Sequence, residues 1–189
     1  MQKKIRKQDR VRQLLEAVYA VDSECHIRYE GGCVPDPDKF FARLDMHVIG
    51  IVRAVVVVEC DEFGHVDYMV SCEQSRMEQV HEAILKAQFV DAVAELGEAA
   101  ALAAPLRPVV FVRYNPDARE VDGVAERVRR MDKEAQLKKV LRDIDRGTLE
   151  LPHTLNIVYI GYDMLDGEPM VCQDTDYSPQ MRGCVVSAV

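Results

Sequence analysis

The sequence has no long apolar run. No stretch approaches the about 20 residues that a membrane-spanning helix needs, and the basic opening segment lacks the apolar core of a signal peptide. We therefore expect a soluble, intracellular protein of the cytoplasm or nucleus that is not secreted and has no membrane partner. The length of 189 residues, with 48% hydrophobic residues, predicts one domain with a substantial core.

Several motifs that would indicate a particular chemistry are also missing. The six cysteines form no CxxC pair, so the sequence does not predict a zinc knuckle, and free thiols are expected. No GxGxxG or Walker-type loop follows a predicted strand, and nucleotide binding of those types is therefore unsupported.

The net charge of −8 argues against a general nucleic-acid-binding protein. The charge is nevertheless uneven, because segment 3–12, "KKIRKQDRVR", has six basic residues and one acid, and segment 127–146 is also net positive. Two basic faces on an acidic protein could follow a phosphate backbone. The alternative is that both are solvated helix faces, which charge alone favours.

Apolar periodicity predicts alternating helices and strands, followed by a C-terminal tail. In chain order, the predicted elements are a helix over 3–21, strands over 25–30, 44–50 and 53–60, a helix over 72–88 that extends towards 103, a strand over 107–114, a helix over 119–146, a strand over 155–163 and a tail over 166–189. The first three strands can form a meander, and helical crossovers favour parallel pairing of the later ones. The sequence therefore predicts an α/β sandwich around a mixed sheet, with one domain over 1–165, a core over 25–163 and the N-terminal helix outside that core.

The strand in "AVVVVECDEFGH", 54–65, ends in a group of acids. Side chains alternate along a strand, so Glu59 and Asp61 share one face and Cys60 points to the other. If the strand that carries Asp45 is a neighbour, three carboxylates converge at one edge of the sheet. Clustered carboxylates repel one another unless a cation or a proton lies between them, and oxygen ligands suit Mg²⁺ or Mn²⁺. The alternative is that the strand simply reaches the surface here and its acids are solvated.

Two further segments carry a family resemblance. "ECDEFGHVDYMVSCEQSRM" followed by "RPVVFVRYNPD" resembles the ExD…H…Y…CE..RM and PVVFIRYNPD pattern of PD-(D/E)XK-fold nucleases. The similar branch is that of very-short-patch-repair and EDxHD homing endonucleases, as found in large DNA viruses and their algal relatives. The resemblance covers about residues 43–163. It implies a restriction-endonuclease-like α-β-β-β-α-β core, a divalent metal and cleavage of nucleic-acid phosphodiester bonds.

The resemblance assigns four catalytic residues. Asp45 takes the place of the first acid of the motif and Glu59 that of the second, and the two are expected to hold Mg²⁺ or Mn²⁺ together with the backbone carbonyl of Cys60. Asp61 stands where the common motif has lysine, which agrees with the ExD branch. His65 then becomes the expected proton-transfer residue, a role that suits histidine near neutral pH.

The resemblance also assigns substrate-binding residues, namely Arg76, Arg113 and Asn115, with Glu73 in a supporting role. An arginine at a strand end can hold a phosphate through its planar fork of donors. For Glu73 and Arg76 the alternative is a surface ion pair of little energetic value. For Asn115 the alternative is that "NPD" forms an ordinary turn.

We thus expect a Mg²⁺- or Mn²⁺-dependent endonuclease that hydrolyses DNA, most simply double-stranded DNA. Cutting both strands needs two sites or two successive nicks, so a homodimer is one possible arrangement. The first alternative is a catalytically inactive nuclease-fold module that binds DNA or protein. A second alternative, a metal-dependent phosphoesterase acting on small molecules, would be indicated by a deep closed pocket.

Overall fold

A mixed sheet of six strands lies at the centre of the protein, which we describe from a computed structural model over residues 6–28, 41–62, 69–126 and 128–188. In spatial order its strands are β1 (Ala20–Ser23), β4 (Met46–Ile49), β5 (Val55–Cys60), β6 (Val109–Tyr114), β9 (Leu155–Ile160) and β12 (Val185–Ala188). Strand β4 is antiparallel to both of its neighbours, β1 and β5, whereas β5, β6, β9 and β12 are parallel to one another. The last three therefore each need a crossover connection.

Two smaller sheets flank the central one. The first pairs β2 (His26–Arg28) with β3 (Phe41–Arg43). The second contains β7 (Arg119–Val121), β8 (Val124–Glu126), β10 (Met164–Leu165) and β11 (Glu168–Pro169). Its strands follow β6 and β9 in the chain, so it extends the carboxyl end of the central sheet.

Helices cover both faces of the central sheet. They are α1 (Lys7–Glu16), α2 (Val70–Leu96), α3 (Glu98–Ala101), α4 (Arg130–Arg146) and α5 (Pro179–Gly183), with a 3₁₀ turn over Met170–Gln173. Alternation along β5 divides the core: Val56 and Val58 pack with α1 and α4, whereas Val55 and Val57 pack with α2 and α5. The predicted α/β fold around a mixed sheet is confirmed.

Two predicted helix boundaries are wrong. The N-terminal helix does not reach residue 21, because Ala20–Ser23 is strand β1 and pairs with β4. The segment 25–30, predicted as the first strand of the meander, instead contributes β2 to a small separate sheet.

The helix predicted over 119–146 begins only at Arg130. Residues 119–126 form a hairpin, and its turn is Asp122-Gly123, both at positive φ, which is the geometry that an Asp-Gly hairpin turn requires.

The prediction of a C-terminal tail over 166–189 is also wrong for the described residues up to 188. Cys172, Tyr177 and Met181 are buried against the α2 face of the core, and β12 pairs with β9. The buried residues of this segment are scattered along it without a helical or strand period, so the sequence pattern did not predict that it joins the core.

The structure bears on two further predictions, which concern membrane-spanning helices and the state of the cysteines. No helix within the described ranges is both long and apolar enough to cross a bilayer. The five cysteines in those ranges are free thiols, as predicted.

Candidate active site

The carboxyl end of β5 brings the predicted acids together. Glu59 lies on the α2 side of the sheet and is 4% exposed, and Asp61 is fully buried. Continuing the β4–β5 register by one residue beyond Met46 and Val58 sets Asp45 opposite Glu59. The Asp45 Oδ2 atom accepts a hydrogen bond of 2.9 Å from the Cys60 amide. The alternative of a solvated strand end does not describe Glu59 and Asp61, although Glu62 is exposed.

Asp61 is held in a buried ion pair. Its Oδ2 atom accepts a hydrogen bond of 2.6 Å from Arg113 Nε and another from the Tyr162 hydroxyl. The Asp61 and Arg113 side chains are 1% and 4% exposed. Burial alone would lower the pKa of Arg113, but the adjacent Asp61 carboxylate holds it well above its usual value. The guanidinium therefore stays charged in the core.

Arg113 also reaches the first turns of α2. Its Nη2 atom donates to Glu73 Oε2 at 2.9 Å, and its Nη1 atom lies 3.6 Å from Met77 Sδ. The buried guanidinium thus fixes Asp61 and Glu73 relative to each other. The predicted contact between Arg113 and a phosphate would require these ion pairs to open.

Arg76 is the more accessible of the two arginines. Its Nη2 atom donates to Glu59 Oε1 at 3.0 Å and to the Arg43 carbonyl at 2.8 Å. The side chain is 25% exposed, so part of it faces solvent beside the acids. Glu73 and Arg76 share a helix face, as predicted, and each has an ion-pair partner on the central sheet.

Asn115 forms a turn. Its Oδ1 atom accepts a hydrogen bond of 2.9 Å from the Asp117 amide, and the residue is 4% exposed. This contact is what the ordinary-turn interpretation of "NPD" describes. The predicted role of Asn115 in substrate binding stays a prediction.

Sequence reasoning missed two residues on α1. The Gln8 Nε2 atom donates to Asp45 Oδ1 at 3.0 Å. Lys7 Nζ binds the Asp117 carboxylate and lies 3.6 Å from Glu62 Oε2. The sequence did contain an indication that Lys7 faces the protein, because it lies four residues before Val11, which is itself four residues before Leu15, and both of these are buried.

Sequence reasoning also missed Lys133 on α4, which is 1% exposed. Its Nζ atom donates to the carbonyls of Asn115, Asp117 and Gly161, and burial lowers its pKa. At Gly161 a Cβ would lie 2.6 Å from the Asn115 oxygen, so the close approach of these two backbones depends on glycine. Lysine is normally exposed, so the sequence did not predict that Lys133 is buried against these carbonyls.

Burial, with a smaller contribution from neighbouring carboxylates, raises the pKa values of two carboxyl groups. Burial raises the pKa of Glu59 to about 7; Arg76 opposes this shift and Asp45 adds to it. Burial also raises the pKa of Asp45, against the effect of the Cys60 amide. We call the group of four carboxylates and two guanidiniums the acidic cluster. When all are ionised, two negative charges remain. Its members are Asp45, Glu59, Asp61, Glu73, Arg76 and Arg113.

The acidic cluster fits a divalent cation in charge and in ligand type. Nowhere in the described part of the chain do three His, Cys, Asp or Glu side chains meet as a ready-made metal centre. Magnesium, however, commonly takes one or two protein carboxylates and keeps several waters. Asp45 and Glu59 can supply two carboxylates, and a dication would offset the two excess charges. Arg76 already holds one oxygen of Glu59, so the metal would share that carboxylate with it.

His65 lies outside the described residues, so its predicted role as the proton-transfer residue stays a prediction.

Comparison of the chain with protein-family models, with curated proteins and with solved structures finds no match.

Proposed function

We propose that this protein is a Mg²⁺- or Mn²⁺-dependent endonuclease that hydrolyses DNA phosphodiester bonds on a restriction-endonuclease-like core. The observation that carries the proposal is the meeting of Asp45 and Glu59, two carboxyls with raised pKa values, at the carboxyl end of β5. A shift of this kind is typical of functional sites, where acids are kept together against their repulsion.

The order of elements supports the proposed core. Along the chain, α1 is followed by β1, β4 and β5 of the central sheet, then by α2 and by β6, which is parallel to β5. This order is compatible with an α-β-β-β-α-β core in which the β2–β3 sheet is an insertion. In that arrangement the acids lie at the carboxyl edge of the strands, where the proposal needs them.

The side chains of the acidic cluster suit distinct tasks. When bound, the metal supplies a Lewis acid for the phosphodiester and lowers the pKa of an attacking water. Asp45 and Glu59 would hold it. Arg76, which is partly exposed beside Glu59, can donate to a phosphate oxygen, and the buried Arg113 keeps Asp61 and Glu73 in place.

A second candidate is a nuclease-fold module that binds DNA or protein without cutting. The favouring observation is that the acids already have donors from this chain. Both oxygens of Asp45 accept hydrogen bonds, from Gln8 and from the Cys60 amide, and Glu59 pairs with Arg76. In this candidate the acidic cluster is a structural network that joins α1, α2 and the sheet.

A cleavage assay separates the two candidates. Supercoiled, linear and single-stranded DNA are each incubated with Mg²⁺ or Mn²⁺ and with the wild type, Glu59→Gln or Glu95→Gln. Glu95 is an exposed acid near the end of α2, so its variant is a matched control. We expect the wild type and the control to cut DNA and Glu59→Gln to lose cutting.

Two other results would change the conclusion. No metal-dependent cutting of any substrate by the wild type would favour the binding module. Wild-type rates for Glu59→Gln would remove Glu59 from the proposed site even if the protein is a nuclease.

A further inference from the structure

The first turns of α1 and α4 meet at Asp117. Lys7 of α1 binds the Asp117 carboxylate, and Lys133 of α4 donates to its backbone carbonyl. The residue after Lys7, Gln8, donates to Asp45 of the acidic cluster. The starts of both helices are therefore fixed at the edge of the sheet where the acidic cluster lies.

Three exposed arginines lie close in the chain to the two lysines that contact Asp117. Arg6 precedes Lys7, Arg10 follows it by three residues, and Arg129 lies four residues before Lys133. We call Arg6, Arg10 and Arg129 the basic rim. They belong to the two basic segments of the sequence, which are far apart in the chain and which the fold brings together.

The basic rim has no carboxylate partners among the residues that the structure describes. Neighbouring arginines differ in this respect: Arg12 lies near Asp9 and Glu16, and Arg130 pairs with Glu134 at 3.1 Å. A chain with a net charge of −8 has ample acids to neutralise such a group. The three guanidiniums of the basic rim are therefore not neutralised by an ion pair within the described residues.

Helix stability does not explain why the arginines of the basic rim lie near the starts of α1 and α4. Cations in the first turn of a helix oppose the helix dipole, which favours acids there. Each such cation costs a few tenths of a kcal/mol rather than stabilising the helix. An external anion would offset that cost, and arginine suits phosphate because its planar fork matches two phosphate oxygens.

We propose that the basic rim binds the phosphate backbone of double-stranded DNA and directs an adjacent phosphodiester towards Asp45 and Glu59. The part of this inference that concerns cleavage rests on the proposed function, whereas the binding itself does not. Because the chain carries a net charge of −8, the rim would also favour one face of the protein for DNA docking.

The test compares two triple variants with the same change in charge. One is Arg6→Ala/Arg10→Ala/Arg129→Ala; the control, Lys139→Ala/Arg142→Ala/Arg146→Ala, removes three exposed cations from the second half of α4. Binding of a fluorescent DNA duplex is measured in EDTA by anisotropy between about 50 and 200 mM salt. A cooperative thermal unfolding transition well above the assay temperature establishes that each variant is folded.

For the rim variant, we expect the slope of log K against log salt to become less negative by about three, since each phosphate contact contributes about −1 to it. The control should keep the wild-type slope. Equal losses in both variants would overturn the proposal, as would a wild type that does not bind duplex DNA. Rim-dependent binding confined to RNA or single strands would overturn the choice of duplex DNA.

The binding assay also separates this inference from the endonuclease proposal, because it needs no metal and no cutting. A wild type that binds through the rim but never cuts would leave the inference standing and would reject the endonuclease. A nuclease whose binding and cutting are unchanged in the rim variant would reject the inference alone.

Discussion

Glu59 and Arg113 are register partners on the adjacent parallel strands β5 and β6, yet each forms its ion pairs elsewhere. Glu59 binds Arg76 of α2, whereas Arg113 binds Asp61 and Glu73. The ion pairs Glu59–Arg76 and Arg113–Glu73 join α2 to the carboxyl ends of both strands. They also leave Glu59 with a partly exposed arginine as its closest cation, so its carboxylate is incompletely neutralised.

Glu59 should make the folded protein less stable as pH rises. Its pKa is raised from 4.5 to about 7, so between these values the folded state binds a proton that the unfolded state has lost. This stabilisation, at most about 3 kcal/mol, is fully present below pH 4.5 and is lost as pH rises through 7. Urea unfolding of the wild type and Glu59→Gln across this range should show curves that diverge, with the variant relatively more stable at high pH. Parallel curves would contradict the assignment.

Divalent cations should raise the melting temperature through Asp45 and Glu59. A ligand at about 100 times its Kd stabilises a protein by about 2.7 kcal/mol. Because a protonated Glu59 is a poor metal ligand, the shift caused by Mg²⁺ or Mn²⁺ should be larger above pH 7 than below pH 6. Asp45→Asn and Glu59→Gln should reduce it, while Glu95→Gln should not. An undiminished shift in Glu59→Gln, at matched ionic strength, would place the metal elsewhere.

The Asp61–Arg113 pair should be strongly coupled. Removing one partner of a buried ion pair leaves an uncompensated charge, so Arg113→Met should lower the free energy of unfolding by about 3–5 kcal/mol. Asp61→Asn/Arg113→Met should cost less than the sum of its single changes, by at least about 1 kcal/mol. The more exposed pair Arg130–Glu134 is the control, where coupling should not exceed about 0.5 kcal/mol. Additive effects at Asp61 and Arg113 would show that the pair does not act as a unit.

Lys133 should be important for stability although it is a lysine. Lys133→Met removes the shared donor of three carbonyls and should cost about 1–3 kcal/mol in urea unfolding. Lys139→Met, on the same helix with a 71% exposed side chain, should change stability by less than about 0.5 kcal/mol. Equal effects of the two substitutions would mean that the carbonyls find other partners.

The central strands were predictable because their sequences leave little choice. The valine runs of β5 and β6 are too apolar for any place but the core, and alternation alone assigned Glu59 and Cys60 to opposite faces. By contrast, β1 is a strand because it pairs with β4, which lies more than twenty residues away in the chain. Local pattern carries no information on such a contact. The hairpin around Asp122-Gly123 had a local signal, but its short strands offered too little apolar periodicity.

The sequence placed Asp45 and Glu59 at one edge of the sheet but did not predict which cations bind the acidic cluster. The pairing of Asp61 with Arg113 depends on the β5–β6 register and on where α2 begins, which are tertiary properties. The buried position of Lys133 depends equally on the approach of β6 and β9 at Gly161. Side chains whose burial is decided by distant partners are the ones that pattern reasoning missed.

The position of β12 has a consequence for biosynthesis. This strand comes after every other strand of the central sheet in the chain, yet it covers the edge of β9. While a ribosome is still making residues 161–184, β9 would present an open edge with apolar residues such as Ile157 and Val158. Open strand edges are templates for aggregation. Nascent chains stalled or truncated before residue 185 should therefore be the species that most need chaperones.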